Sequence, residues 1–191
     1  MKKTAKLFLG MMAILMAASL VLTGCSSNDE ISLGEWSGST YTNETVGVTF
    51  NMPANWTRTS DAEMAAALEL GADLLDIPDD FWEDADTATL MAASSPTGSN
   101  INIMVERATG RVSASASARA VVQEFETMGL EARVISGTVR IGDNNWHQYA
   151  IDFFGMTVYG FVSAQGRFAN TITITIVPGS ETLDDILAMF N

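Results

Sequence analysis

The densest set of residues able to do chemistry is a run of carboxylates: Asp73, Asp76, Asp79, Asp80, Glu83, Asp84 and Asp86. A hard cation such as Ca2+ takes about six to eight oxygen ligands, supplied by flexible carboxylates. Asp79, Asp80, Glu83 and Asp84 bring four carboxylates within six residues, and on a helix Asp80 shares a side with Glu83 and Asp84. These four are the candidate ligands for calcium or manganese, although the run lacks the alternating ligands and central glycine of an EF-hand loop. The commoner role of such a run is a solvated face that keeps an acidic protein dispersed. Phe81 and Trp82 lie inside the run and open a third reading: an exposed aromatic pair rimmed by acids would dock on a basic protein surface.

Beyond that run the chemistry is sparse. His147 is the sole histidine and Cys25 the sole cysteine. With one histidine and one cysteine, the latter expected to carry lipid, no usual structural or catalytic zinc set can be built within one chain. A Ser-His-Asp triad would have to use His147, and no Gly-x-Ser-x-Gly elbow presents a nucleophile to it. His147 falls between Trp146 and Gln148 in a strand-like stretch, the usual setting of a structural histidine. Carboxylate-pair hydrolysis stays open on residue counts alone, because acids are abundant.

Cys25 has a more specific setting. Lys2, Lys3 and Lys6 make a basic start, and Leu7 to Leu22 is a 16-residue run without a charge. That is the length of a signal-peptide core and short of the roughly 20 residues of a membrane span. Leu22-Thr23-Gly24-Cys25 then resembles a lipobox, in which small residues fit the peptidase and the new N-terminal thiol takes a diacylglyceryl group. This implies export, loss of residues 1–24, and anchoring to the membrane by lipid on Cys25, with the rest of the chain outside the cytoplasm.

With the leader removed, 167 of the 191 residues remain, enough for one domain with a sizeable core. All three lysines leave with the leader, so seven arginines face 23 acidic residues, a net charge of −16. Such a charge repels nucleic acid and anionic headgroups, and nucleic acid is not an expected partner. Residues 25–40 are rich in Ser, Gly, Asn and Asp and read as a lipidated N-terminus and flexible tether, interrupted by Trp36. Residues 41–191 then form the domain.

Within it, Tyr41 to Asn51 reads as two short strands, with Val46, Val48 and Phe50 in alternation. Ser60-Asp61-Ala62-Glu63 is a capping box opening a helix bounded by Pro78. Strands are expected over 87–95 and 100–108, joined by a turn at Pro96-Thr97-Gly98-Ser99. Ser115 or Ser117 would cap a second helix that turns Val121, Val122, Phe125 and Met128 inward, with Gly129 and Leu130 closing it. Four strands follow, over 132–141, 145–154, 157–164 and 168–177, with tips at Asp143-Asn144, Gly155-Met156 and Gln165-Gly166. In the last, Ile172, Ile174 and Ile176 point one way and Thr171, Thr173 and Thr175 the other, which predicts a greasy face and a wetter one. A last helix starts near Ser180, with Leu183, Ile186, Leu187 and Phe190 on one stripe. Strands in sequence with separated helices argue an α+β fold whose mostly antiparallel sheet is covered by helices.

Tyr41-x-Asn43 followed by Val48-x-Phe50-x-x-Pro53-x-x-Trp56 resembles the opening of PsbP-like domains, and Trp146-His147-x-Tyr149 and the Thr-Ile strand fit the same plan over residues 41–191. The resemblance implies the PsbP/MOG α/β/α sandwich. That family includes the PsbP subunit of photosystem II, DcrB-type envelope lipoproteins and a Ran-binding nuclear protein, which share accessory or binding work on larger assemblies. It therefore implies a non-enzymatic accessory role with a protein partner, and carries no ligand motif onto this sequence. Phe50 and Trp56 flank the Pro53 turn and are expected to lock the first hairpin onto the sheet.

Overall fold

The computed structural model describes residues 32–60, 62–63, 87–153 and 155–191. Among the described residues, ten strands form two antiparallel sheets. A small sheet has the order β1-β2-β3, from Glu35–Ser37, Thr40–Asn43 and Val48–Asn51. The large sheet has seven strands in the order β4-β5-β6-β10-β9-β8-β7. Its members are β4 (Thr57–Arg58), β5 (Thr87–Ser94), β6 (Asn100–Arg107), β7 (Glu131–Ile141), β8 (Asn144–Phe153), β9 (Met156–Gln165) and β10 (Phe168–Ile176). Two described helices complete the fold, α1 (Ala114–Thr127) and α2 (Leu183–Leu187). The architecture is a mainly-β α+β fold.

One face of the large sheet carries Ile101, Ile103, Trp146, Phe161, Ile172 and Ile174, all buried. Among the described residues its cover is mostly sheet rather than helix. Tyr41, Val46, Val48 and Phe50 come from the small sheet and its turn, and Ile186 and Phe190 from the C-terminal segment. Each such side chain contributes about 1.5–3 kcal/mol by leaving water. Phe50 meets Trp56 at 6.5 Å and Phe190 at 5.2 Å between ring centres, so the expected locking role of Phe50 and Trp56 is met. The last residues are stitched to β3: Asn191 N–H donates to Thr49 O at 2.9 Å, and Asn51 N–H donates to Met189 O at 2.8 Å.

The small sheet is also fixed at the β7–β8 tip. Asp143 N–H donates to Gly47 O at 3.0 Å, and Asn144 Nδ2 donates to Val46 O at 2.7 Å. Ile141 pairs with Asn144, so the tip is Gly142-Asp143, one residue earlier than the sequence predicts. Only glycine serves at 142. Its φ is +56°, and a Cβ there would lie 2.2 Å from Gly47 O. Likewise Phe153 pairs with Met156, and Gln165 with Phe168, which makes Met156 and Gln165 strand residues rather than tips.

The opposite face carries α1 over β7, β8 and β9. Ala118, Val122 and Phe125 recur at helical spacing and pack on Tyr149, Ile151, Val158 and Val162. The helix starts at a Ser113 cap, ahead of the expected Ser115 or Ser117, and Met128 at its C-cap is exposed rather than inward. Its end is a Schellman motif: Leu130 N–H reaches Phe125 O, Gly129 N–H reaches Glu126 O, and Gly129 has φ +82°.

Two further boundaries move. The stretch assigned to the tether contains β1, because Trp36 packs on Tyr41 with ring centres 5.4 Å apart and so draws its neighbours into the sheet. The final helix is capped by Thr182, whose hydroxyl accepts from Asp185 N–H while the Asp185 carboxylate accepts from Thr182 N–H. The Ser60–Glu63 capping box forms as expected, with Ser60 N–H donating to Glu63 Oε2 at 2.9 Å.

Candidate functional site

Most residues that the sequence singles out for chemistry lie outside the described residues: Cys25, the acidic run Asp73, Asp76, Asp79, Asp80, Glu83, Asp84 and Asp86, and the aromatic pair Phe81 and Trp82. His147 is described. It is half-buried on β8 and faces Thr138 on β7 and Val162 on β9. Among the described residues, no three His, Cys, Asp or Glu side chains gather where they could hold a metal ion. No described helix is long and apolar enough to cross a membrane.

Tyr41 and Asn43 have a positional role. The Tyr41 hydroxyl donates to Leu33 O at 2.9 Å, and Asn43 Nδ2 donates to Ser32 O at 2.8 Å, while Asn43 Oδ1 accepts from Val46 N–H at 3.0 Å. Both side chains are buried. They hold the chain at Ser32 and Leu33, seven residues after Cys25.

The unexpected feature lies on the α1 side of the large sheet, over β5, β6 and β10. The registers place Ser94, Asn100 and Thr175 in one row across the strands. The next row is Ala92, Asn102, Thr173 and Gly160, with the Tyr149 ring laid over Gly160. Thr89, Met104 and Thr171 make a third row, and Thr87, Glu106 and Ala169 a fourth. This is the face that alternation marks as wet, yet Asn100 is 3 %, Asn102 0 %, Thr173 0 % and Thr175 1 % exposed. A buried sheet face is ordinarily aliphatic. Here it is a lane of carboxamides and hydroxyls.

The lane's hydrogen bonding is incomplete. Asn102 Nδ2 makes two long contacts of 3.4 Å, to Asn100 Oδ1 and to Thr173 Oγ1. Asn102 Oδ1, Thr175 Oγ1 and Thr87 Oγ1 are buried without a partner. Each such atom costs about 1–3 kcal/mol, which sets the lane apart from a face selected for stability alone. The sequence holds a signal for it: asparagines at 100 and 102 in phase with Met104 mark a polar step on a buried strand. That Thr173 stands beside Asn102 follows only from the register, and which face is covered only from what packs on the sheet.

At the lane's end, burial pushes the Glu106 carboxyl up to about 7. The folded protein thus keeps a proton that the unfolded chain releases near the ordinary glutamate value. Stability must fall as pH rises from there to about 7, and stay low above it. Glu106→Gln is expected to flatten this part of the curve, read from urea midpoints at about pH 5 and about pH 8. Burial also raises Glu124 on α1 and Tyr149 on β8. At the other end of the sheet, hydrogen bonds from Thr157 and Arg133 hold Asp152 below the usual carboxylate range. Chemically, the centre of the lane is a set of neutral donors and acceptors in a dry setting.

No family model and no curated protein matches the chain. Among solved structures it is similar to a protein from Bacteroides thetaiotaomicron VPI-5482, with 14 % identity and a TM-score of 0.38, over 76 % of this chain and 44 % of that one. The chain therefore spans less than half the length of that protein.

Proposed function

We infer that this chain is an exported envelope lipoprotein, anchored through lipid on Cys25, whose domain does accessory, partner-binding work rather than catalysis. The observation that carries the reading is the seating of Ser32 and Leu33 by the buried Tyr41 and Asn43. It gives the domain a fixed departure point seven residues from the lipobox cysteine. Seven extended residues reach at most about 25 Å, so a domain tethered there works against partners close to the bilayer. The PsbP/MOG-like α/β/α plan is the finer fold reading. It is supported by the packing roles of Tyr41, Asn43, Phe50 and Trp56 and by the order of two strands, helix, four-strand meander and helix over residues 87–191.

Mass spectrometry of protein extracted from the membranes of an expressing bacterium tests the anchor. The expected result is a chain that begins at Cys25 and carries a diacylglyceryl group, with Cys25→Ser blocking lipid attachment. An unmodified thiol or an intact leader would sink the reading. Crosslinking of the anchored protein in membranes tests the role, and repeated failure to return one specific neighbour counts against it.

A further inference from the structure

Given the lipid anchor on Cys25 inferred above, we propose that the end of the domain from which the tether departs is a basic face that docks on an anionic phospholipid surface, through Arg111, Arg119 and Arg140. The registers fix which elements share an end. Ile141 pairs with Asn144, Gln165 with Phe168, and Phe168 with Arg107. The β7–β8 tip, the β9–β10 tip and the close of β6 therefore lie together. Val112 N–H donates to Gly166 O at 3.1 Å, which brings the start of α1 to the same end. The departure point is there too. Ser32 O accepts from Asn43 Nδ2, Asn43 O accepts from Gly47 N–H, and Gly47 O accepts from Asp143 N–H at the β7–β8 tip.

Five of the seven arginines that follow Cys25 sit on these elements. Arg111, Arg119 and Arg140 are exposed. Arg107 and Arg167 stand half-buried behind them, the first over the Phe168 ring at 5.8 Å and the second donating to Ala108 O at 3.2 Å. The described acids at this end are Glu44, Asp143 and Glu106, and burial disfavours the charge on Glu106. At the opposite end Phe153 pairs with Met156 and Ser94 with Asn100. There Glu126, Glu131, Asp152, Glu181, Asp184 and Asp185 outnumber Arg133. The described charges thus form a dipole with its positive pole at the tether. From β7 to β6 is four strand spacings, about 19 Å, which is within the roughly 25 Å reach of seven extended residues. The net negative charge would keep a free chain off an anionic surface. A tether supplies the effective concentration and leaves orientation to be decided. At an anionic bilayer each arginine favours contact by about fivefold.

The test uses the lipidated full chain in vesicles of phosphatidylcholine, alone or with about three parts in ten phosphatidylglycerol. Lipid occupies Cys25, so a new thiol alone takes a fluorophore. Thr109→Cys places it on the exposed loop at the tether end, and Thr127→Cys at the far end. Nitroxide on the lipid headgroups quenches whichever end approaches the bilayer. Quenching at Thr109→Cys is expected to rise severalfold with phosphatidylglycerol, and to fall back in about 0.5 M salt. It should also fall back when Arg111→Gln, Arg119→Gln and Arg140→Gln are combined, changes confined to exposed side chains. The label at Thr127→Cys should respond to neither lipid. Equal quenching at Thr109→Cys in both vesicles, or no effect of salt, overturns the docking face without any arginine variant. A folded triple variant that behaves as the parent overturns it as well. Mass spectrometry of the same sample separates this from failure of the anchor. A chain without lipid on Cys25 that floats with neither vesicle removes both readings. A lipidated chain indifferent to phosphatidylglycerol removes the docking face alone, and membrane crosslinks lost in the triple variant would then assign the arginines to an acidic protein surface.

Discussion

Replacing Trp146 with alanine is expected to lower the unfolding free energy by about 3–5 kcal/mol, the range for large aromatic truncations in a core. The indole is fully buried in the main core, and its Nε1–H donates to Ile141 O at 3.0 Å. Trp146 also pairs with Val139 across the β7–β8 ladder, so truncation empties the sheet beneath the small sheet and frees a buried carbonyl together. In a chain of this size the loss corresponds to a fall of about 10 °C in melting temperature. Trp146→Phe separates the two parts, since it keeps most of the volume and loses the hydrogen bond. A Trp146→Ala protein within about 1 kcal/mol of the parent in urea unfolding would mean that the packing described here is wrong.

Gly142→Ala is the second large effect, expected at about 2–4 kcal/mol from left-handed backbone strain plus overpacking. The collision is with backbone, Gly47 O at 2.2 Å and Asn191 O at 3.0 Å, which cannot rotate away as a side chain would. Gly166→Ala is the control. Gly166 has nearly the same dihedral, φ +63° against +56°, but nothing lies within 4 Å of its would-be Cβ. It should lose only the conformational part, about 1–2 kcal/mol. The difference between the two variants isolates the contact that clamps the small sheet to the large one. Equal losses would show that no such clamp exists.

What the sequence makes legible here is local. The Thr-Ile alternation of β10, the Pro96–Ser99 turn and the Gly129-Leu130 helix stop each rest on residues close in the chain, and each appears within a residue or two of its expected place. Two elements are missed, β1 and the two-residue β4; β1 is a strand only because Trp36 finds Tyr41, a contact that a polar tether-like composition conceals. The larger error concerns the threonine face. Alternation divides a strand into two faces but does not say which one is covered, and Thr173 and Thr175 are buried because of what packs on the sheet, which is a property of the whole fold. For the same reason the Asn/Thr lane is invisible before the register is known: Asn102 and Thr173 are 71 residues apart. The acidic run around Asp79 to Asp86, Phe81 and Trp82 stands out in the sequence through sheer density, a compositional signal that carries no geometry.

The seating of Ser32 and Leu33 has a mechanical corollary. Tension drawn from the N-terminal side would be felt first by the Asn43–Ser32 and Tyr41–Leu33 bonds, and then by the short β1–β2 ladder beginning at Glu35 and Thr42. Those links break one after another, like a zip, rather than all at once in shear. The fold therefore has a sacrificial hem that lengthens the leash under load while the seven-stranded sheet stays intact.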